Sequence, residues 1–115
     1  MNPWKHFEVA VKVATLKDDQ RVHRLGAIGI RSDGVLVGAP NAPAPDKTPA
    51  AHAEARLCRK LDKGAVVFVA RKANADDATY RLARPCNSCQ SIMRAKKVSR
   101  VYYTISDSEF GVMDL

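Results

Sequence analysis

The sequence predicts an α/β domain in which one mixed sheet of about five strands is sandwiched between helices. Apolar residues recur at helical spacing near the N-terminus, a hairpin pattern follows, and apolar strand-like runs then alternate with two more helical segments. The chain has 115 residues, which fits a single domain over residues 1–115. A domain of this size can bury a core without disulfides.

The first predicted helix extends to about Leu16. Trp4 and Phe7 begin its apolar series, and we expect both in the core. Asn2 is a suitable N-cap, and Pro3 is tolerated at the first helical position because its missing N–H would have no helical partner there.

A β-hairpin is expected next, with strands at residues 25–30 and 35–38. Both segments are rich in apolar and β-branched residues. Ser-Asp-Gly at residues 32–34 supplies residue types that tolerate a tight turn.

A second helix is predicted over residues 48–63, with Thr48 as N-cap, Pro49 at the first position and Gly64 ending it. The continuous apolar run at residues 65–70 is typical of a strand covered on both faces. Cys58 falls on the helix at a position that we expect to pack on the sheet.

The last third of the chain completes the alternation. The predicted segments are a short extended piece at 80–83, a helix at 86–97, a strand at 98–105, a turn at 106–110 and a last short strand at 111–115. Tyr102 and Tyr103 alternate on their strand, which predicts that one faces the core and the other faces outward.

Charge and composition limit the possible functions. The formal net charge is +7, which favours anionic partners such as a nucleotide phosphate or a polynucleotide, or simply a solvated surface. No apolar run approaches the ~20 residues of a membrane span, and the N-terminus lacks a signal-peptide layout. With three cysteines and one Cys-x-x-Cys pair, we expect a soluble cytoplasmic protein in a reducing compartment.

The chemistry is expected at His52, Glu54, Cys86 and Cys89. Imidazole and thiolate are ligands that Zn²⁺ takes in tetrahedral geometry, and three protein ligands leave one position for water. Cys86 and Cys89 are three residues apart and therefore share one side of a helical turn. Glu54 is two positions from His52 at a helix start, which suits a proton carrier beside the metal rather than a fourth ligand.

A Cys-x-x-Cys pair alone also occurs in structural zinc ribbons and in redox sites. A ribbon needs a fourth ligand, and Cys58 is the only other cysteine. Cys58 lies ~240° around the helix from His52, at ~100° per residue, and should point elsewhere. A redox motif has no use for the upstream His-x-Glu.

The motifs resemble those of the cytidine deaminase-like superfamily. The resemblance rests on Gly-Ala-Pro-Asn at 38–41, Pro-Ala-Ala-His-Ala-Glu at 49–54, Pro-Cys-Asn-Ser-Cys at 85–89 and Val-Tyr-Tyr-Thr at 101–104. It implies that Asn41 holds the sugar hydroxyl, that the Ala53 N–H binds the pyrimidine carbonyl, and that the Arg84 carbonyl accepts from the leaving amine. Arg84 stands where many members have Glu or Ser.

The function that this resemblance implies is zinc-dependent hydrolytic deamination of a cytosine nucleoside or nucleotide, with release of ammonia. Two alternatives stay open. One is a deaminase acting on cytosine or adenine in single-stranded DNA or RNA, and the other is a non-catalytic zinc domain that binds nucleic acid. The approach to His52 resembles the nucleotide and tRNA branches, whereas the tail fits the short antiparallel hairpin of the free-cytidine branch. The resemblance also implies a homo-oligomer, and no membrane partner is expected.

Overall fold

A computed structural model of the chain describes residues 2–15, 24–40, 57–72 and 79–115. Its helices and strands, numbered here in chain order, are α1 (Pro3–Thr15), β1 (Arg24–Ile30), β2 (Leu36–Pro40), β3 (Val66–Lys72), β4 (Tyr80–Arg81), α2 (Asn87–Ala95), β5 (Arg100–Thr104) and β6 (Phe110–Asp114). None of the helices in these residues is long and apolar enough to cross a membrane.

The strands form one mixed sheet in the order β2-β1-β3-β5-β6, and β4 pairs with the end of β3. β3 and β5 are parallel, and the other pairs are antiparallel. The predicted α/β class is therefore confirmed. The sheet has six strands rather than about five, because the extended piece at Tyr80–Arg81 bonds to Lys72 and Arg71 at the end of β3.

Helix α1 begins as predicted. The Trp4 N–H donates to Asn2 Oδ1 at 3.1 Å, so Asn2 satisfies one of the N–H groups that a helix start leaves without a partner. α1 covers one face of the sheet. Its buried Phe7 packs with Ile28 of β1 and Phe68 of β3, and half-buried Trp4 packs at the edge of the same cluster.

The hairpin between β1 and β2 is also confirmed. Arg31 N donates to Val35 O at 2.9 Å, and Gly34 N donates to Arg31 O at 2.9 Å. Gly34 has a φ of 86°, a conformation that glycine adopts without the cost of a Cβ contact. The Asp33 carboxylate accepts a hydrogen bond from Val35 N at 3.1 Å, and this bond between two residues of the turn stabilises it.

The opposite face of the sheet is covered by α2 and by the residues that follow position 56. Leu57, Cys58 and Leu61 are buried in one cluster with residues of β3 and α2, which confirms that Cys58 packs on the sheet. Leu61 lies directly over Gly29, where a Cβ would overlap its side chain. The C-terminal end of the predicted 48–63 helix and α2 therefore share one face.

That predicted helix ends earlier than residue 63. Leu57 and Cys58 are helical, and a turn follows in which Lys60 N donates to Leu57 O at 2.8 Å. Asp62 beyond the turn accepts hydrogen bonds from the Ser32 hydroxyl and, at 3.0 Å, from the Ser32 N–H. These two bonds from Ser32 hold the pKa of the Asp62 carboxyl below its ordinary value.

The expectation that one of the two adjacent tyrosines faces outward is wrong. Tyr102 is half-buried on the α1 face, stacked on Phe68 with ring centroids 4.9 Å apart. Tyr103 is half-buried on the α2 face and lies against Gly111, where a Cβ would overlap its ring. Because helices cover both faces of the sheet, alternation places each tyrosine against a different helical layer.

Candidate metal centre and active site

The start of α2 carries the cysteine pair. Cys86 is the N-cap with extended backbone angles, φ −67° and ψ 165°, and its carbonyl accepts from Gln90 N at 2.9 Å. Cys86 is exposed, whereas Cys89, one turn further, is completely buried. A helix opens at Cys86 as predicted, and its N-terminal N–H groups favour negative charge there, as a thiolate carries.

The backbone that leads into Cys86 is held in place by a buried side chain that sequence reasoning missed. Gln90 is 7% exposed, and its Nε2 donates to Pro85 O at 2.8 Å. A buried amide needs a partner of this kind. The hydrogen bond fixes the carbonyl that immediately precedes Cys86. The signal in the sequence is an amide next to Cys89 on a helix whose other buried residues are apolar.

The extended segment before Pro85 is tied to the end of β5. The buried Thr104 hydroxyl donates to Arg81 O at 2.7 Å and accepts from Arg71 N at 3.3 Å. Ala83 N donates to Thr104 O at 2.9 Å. One residue therefore joins three strands and fixes the path of the chain that leads into α2.

Thr104→Val keeps the side-chain shape but removes the two hydroxyl hydrogen bonds. We expect the free energy of unfolding to fall by about 1–3 kcal/mol, because buried backbone groups lose their partner. Urea unfolding followed by circular dichroism measures this loss. Thr104→Ser keeps the hydroxyl and should lose less. A Val variant as stable as the original protein would contradict the role given to this hydroxyl.

Comparison with known families identifies the fold around this pair. A family model for the cytidine and deoxycytidylate deaminase zinc-binding region matches residues 2–105. The chain belongs to this family. No curated protein matches the sequence. The family is zinc-binding, and it indicates a hydrolytic deaminase.

Three of the predicted site residues of this deaminase lie within the described part of the chain. Cys86 and Cys89 stand at the N-terminal end of α2, and exposed Arg84 directly precedes buried Pro85. The others, Asn41, His52, Ala53 and Glu54, lie outside the described residues. Within residues 2–15, 24–40, 57–72 and 79–115, no three His, Cys, Asp or Glu side chains group closely enough to hold a metal.

The donors at α2 fit the zinc that the family binds. Two cysteine sulfurs one helical turn apart can ligate one ion, and Zn²⁺ favours thiolate. The buried Cys89 would bring its sulfur from the core side, and the exposed Cys86 would bring its sulfur from the solvent side. The pair therefore supplies two ligands, and a catalytic site of this type needs a third from elsewhere in the chain.

Proposed function

We propose that this deaminase hydrolyses the bond between C4 and the exocyclic amine of a cytosine nucleoside or nucleotide. In this proposal His52, Cys86 and Cys89 are the zinc ligands, and Glu54 is the proton carrier. The observation that carries the proposal is the shared face of the sheet. Leu57, at the end of the predicted 48–63 helix, and Cys89 belong to one buried cluster.

The short separation between His52 and Leu57 in the sequence supports His52 as the third ligand. His52 precedes Leu57 by five residues, a reach of about 18 Å when fully extended and about 7.5 Å when helical. Leu57 and Cys89 are both completely buried in the same cluster. This reach is compatible with the imidazole at position 52 as the third ligand.

Zinc held by these ligands would lower the pKa of a water toward neutrality. The Glu54 carboxylate would take a proton from that water and pass it to N3 of the ring, while the water oxygen bonds to C4. Glu54 would then take the second proton from that oxygen and deliver it to the exocyclic amine, so that the C4–N bond breaks and ammonia leaves. The position of Glu54 in the sequence, two residues after His52, supports this role. Asn41 would hold the sugar, and the Ala53 N–H and Arg84 carbonyl would orient the base.

The aromatic residues favour a small substrate over a polynucleotide. A single-stranded nucleic acid is usually bound by stacking its bases on exposed aromatic rings. The chain has seven aromatic residues, and all lie in the described segments. Six pack on the α1 face, namely Trp4, Phe7, Phe68, Tyr80, Tyr102 and Phe110. Tyr103 packs on the other face beside Gly111. Every ring of the chain thus has a packing partner in the fold, which favours a small substrate.

A phosphate on the substrate is supported by the charge beside the cysteine pair. Arg84 is exposed two residues before Cys86 in the chain. Fixed positive charge at a site concentrates anionic ligands there. We therefore rank the cytosine nucleotide above the free nucleoside.

Ammonia release from a panel of substrates tests the proposal. The panel contains cytidine, deoxycytidine, their monophosphates and triphosphates, and single-stranded oligonucleotides. We expect turnover of a mononucleotide or nucleoside by the zinc-loaded protein and little with the oligonucleotides. Ammonia release only from oligonucleotides would support the polynucleotide deaminase. Release from none of these compounds would favour the non-catalytic zinc domain.

Salt dependence separates the same alternatives by a second measurement. A protein that neutralises several phosphates releases several counterions, so log affinity falls with log salt at a slope of about −0.7 per contact on single strands. We expect a shallow slope for the preferred substrate, corresponding to one or two phosphate contacts. A slope of about −3 or steeper for an oligonucleotide that is also deaminated would overturn the ranking.

A further inference from the structure

Four exposed basic residues lie together at the C-terminal end of α2. Arg94 is in the last turn of the helix, and Lys96 and Lys97 follow its final residue. The turn that carries Lys63 is joined to them, because Gly64 N donates to Lys97 O at 2.9 Å. All four side chains are exposed, and none forms an ion pair with a described residue. We refer to these four residues as the basic cluster.

The acidic side chains beside the basic cluster are already bonded to other residues. Asp62 precedes Lys63, but its carboxylate accepts hydrogen bonds from the Ser32 hydroxyl and N–H. Asp114, at the end of β6, binds Arg100 at 2.9 Å. Within the described part of the chain, the basic cluster therefore keeps an excess of positive charge at the surface.

The backbone at Lys97 is in an unfavourable conformation. Val98 N donates to Met93 O at 3.1 Å, and Lys97 N donates to Arg94 O at 3.0 Å. These are the two bonds of a Schellman helix end, where glycine is the usual residue at the position of Lys97. Lys97 has a φ of 63°, which disfavours any residue with a Cβ. Strain of this kind is concentrated at functional positions.

The helix end accounts for only part of the basic cluster. Cations in the last turn of a helix are stabilised by its carbonyl groups, which explains Arg94 and Lys96. A glycine at position 97 would make the same two backbone bonds without the strain, so the helix end does not require a lysine there. Lys63 belongs to a different segment and is brought to the cluster by the tertiary fold.

We propose that the basic cluster binds the phosphate backbone of a duplex nucleic acid. Lysine and arginine bind such a backbone by neutralising phosphates and releasing counterions, with no need to contact the bases. The cluster lies at the opposite end of α2 from Cys86. The nine residues of the helix separate the two ends by about 13 Å, so the duplex is a docking partner and not the substrate.

The composition of the surface favours a duplex over other anionic partners. Protein interfaces have apolar and aromatic residues at their centre, and membrane-binding helices insert apolar side chains. Residues 63–64 and 94–99 contain one large apolar side chain, Val98, which is 2% exposed. A single strand needs exposed rings for base stacking, and the rings of this chain pack within the fold. A duplex presents phosphates while its bases stay paired.

Fluorescence anisotropy of labelled duplexes tests the proposal on the zinc-loaded full chain. Duplex DNA and duplex RNA of about 20 base pairs, two helical turns, are separate probes, and the one that binds identifies the nucleic acid. If each of the four cations contacts a phosphate, log affinity should fall with log salt at a slope of about −3.6, which is about −0.9 per contact.

Two matched variants locate the binding surface. Lys96→Gln removes one charge from the basic cluster, and Lys5→Gln removes the same charge from the exposed side of α1. We expect the slope to become shallower by about 0.9 in Lys96→Gln and to stay unchanged in Lys5→Gln. Equal weakening by both variants, or no binding of either duplex at about 50 mM salt, would overturn the proposal.

Lys97→Gly separates binding from folding. Glycine adopts the positive φ without a Cβ contact, so the midpoint of urea unfolding should stay the same or rise. The slope for the duplex should nevertheless become shallower by about 0.9. Unchanged duplex binding together with a lower unfolding midpoint would show that Lys97 is structural and would contradict the proposal. None of these measurements depends on deaminase activity.

Discussion

Glu54→Ala is expected to lose about 10⁴-fold or more in turnover while it keeps its zinc and its fold. General acid–base catalysis typically contributes ~10²–10⁴-fold, and in the proposed mechanism one carboxylate serves several proton transfers. Substrate should still bind, because Asn41 and the backbone groups at Ala53 and Arg84 are unchanged. Steady-state kinetics, zinc analysis and circular dichroism on the same preparation measure the three properties.

Two variants control for charge and shape. Glu54→Gln keeps the shape of the side chain but cannot carry a proton, so it should be nearly as inactive as Glu54→Ala. Glu8→Ala removes a carboxylate from the exposed side of α1 and should retain full activity. If Glu54→Ala kept more than about a tenth of the activity, a change of only ~1.4 kcal/mol in the barrier, the proposed mechanism would be wrong.

Cys86→Ala is expected to abolish zinc binding and, with it, activity. Cys86 is exposed, so its replacement removes a proposed ligand without opening a cavity in the core. Any loss of stability then reports the metal, because metal that binds only the folded chain contributes its binding free energy to folding. With zinc present, we expect the free energy of unfolding of Cys86→Ala to be several kcal/mol lower than that of the original protein.

The other two cysteines provide the comparison. Cys89→Ala should also lose zinc, with an added packing cost because Cys89 is completely buried. Cys58→Ala removes an equally buried thiol from the same cluster and should keep one zinc per chain. Removing zinc with a chelator should bring the original protein close to the stability of Cys86→Ala. Full zinc in Cys89→Ala would remove that residue from the site.

The sequence by itself determined the features that depend on neighbours in the chain. Asn2 caps α1, glycine sits where the turn between β1 and β2 needs a positive φ, and α2 opens at the first cysteine of the pair. Each follows from one to four adjacent residues, whose conformational preferences and hydrogen-bonding groups act locally. The spacing of Cys86 and Cys89 is local in the same way, so their common place on one helical turn could be predicted.

Only the tertiary structure decided which distant segments meet. Thr104 joins the approach to Cys86 through groups 23 and 33 residues away in the chain, and Gln90 owes its burial to layers packed around α2. Both tyrosines of β5 are covered because a helix lies on each face of the sheet. The hydrogen bond from Lys60 Nζ to Gly38 O likewise joins residues 22 positions apart. Periodicity shows which side chains share a face, but strand order depends on non-local hydrogen bonds and on how the buried faces fit together.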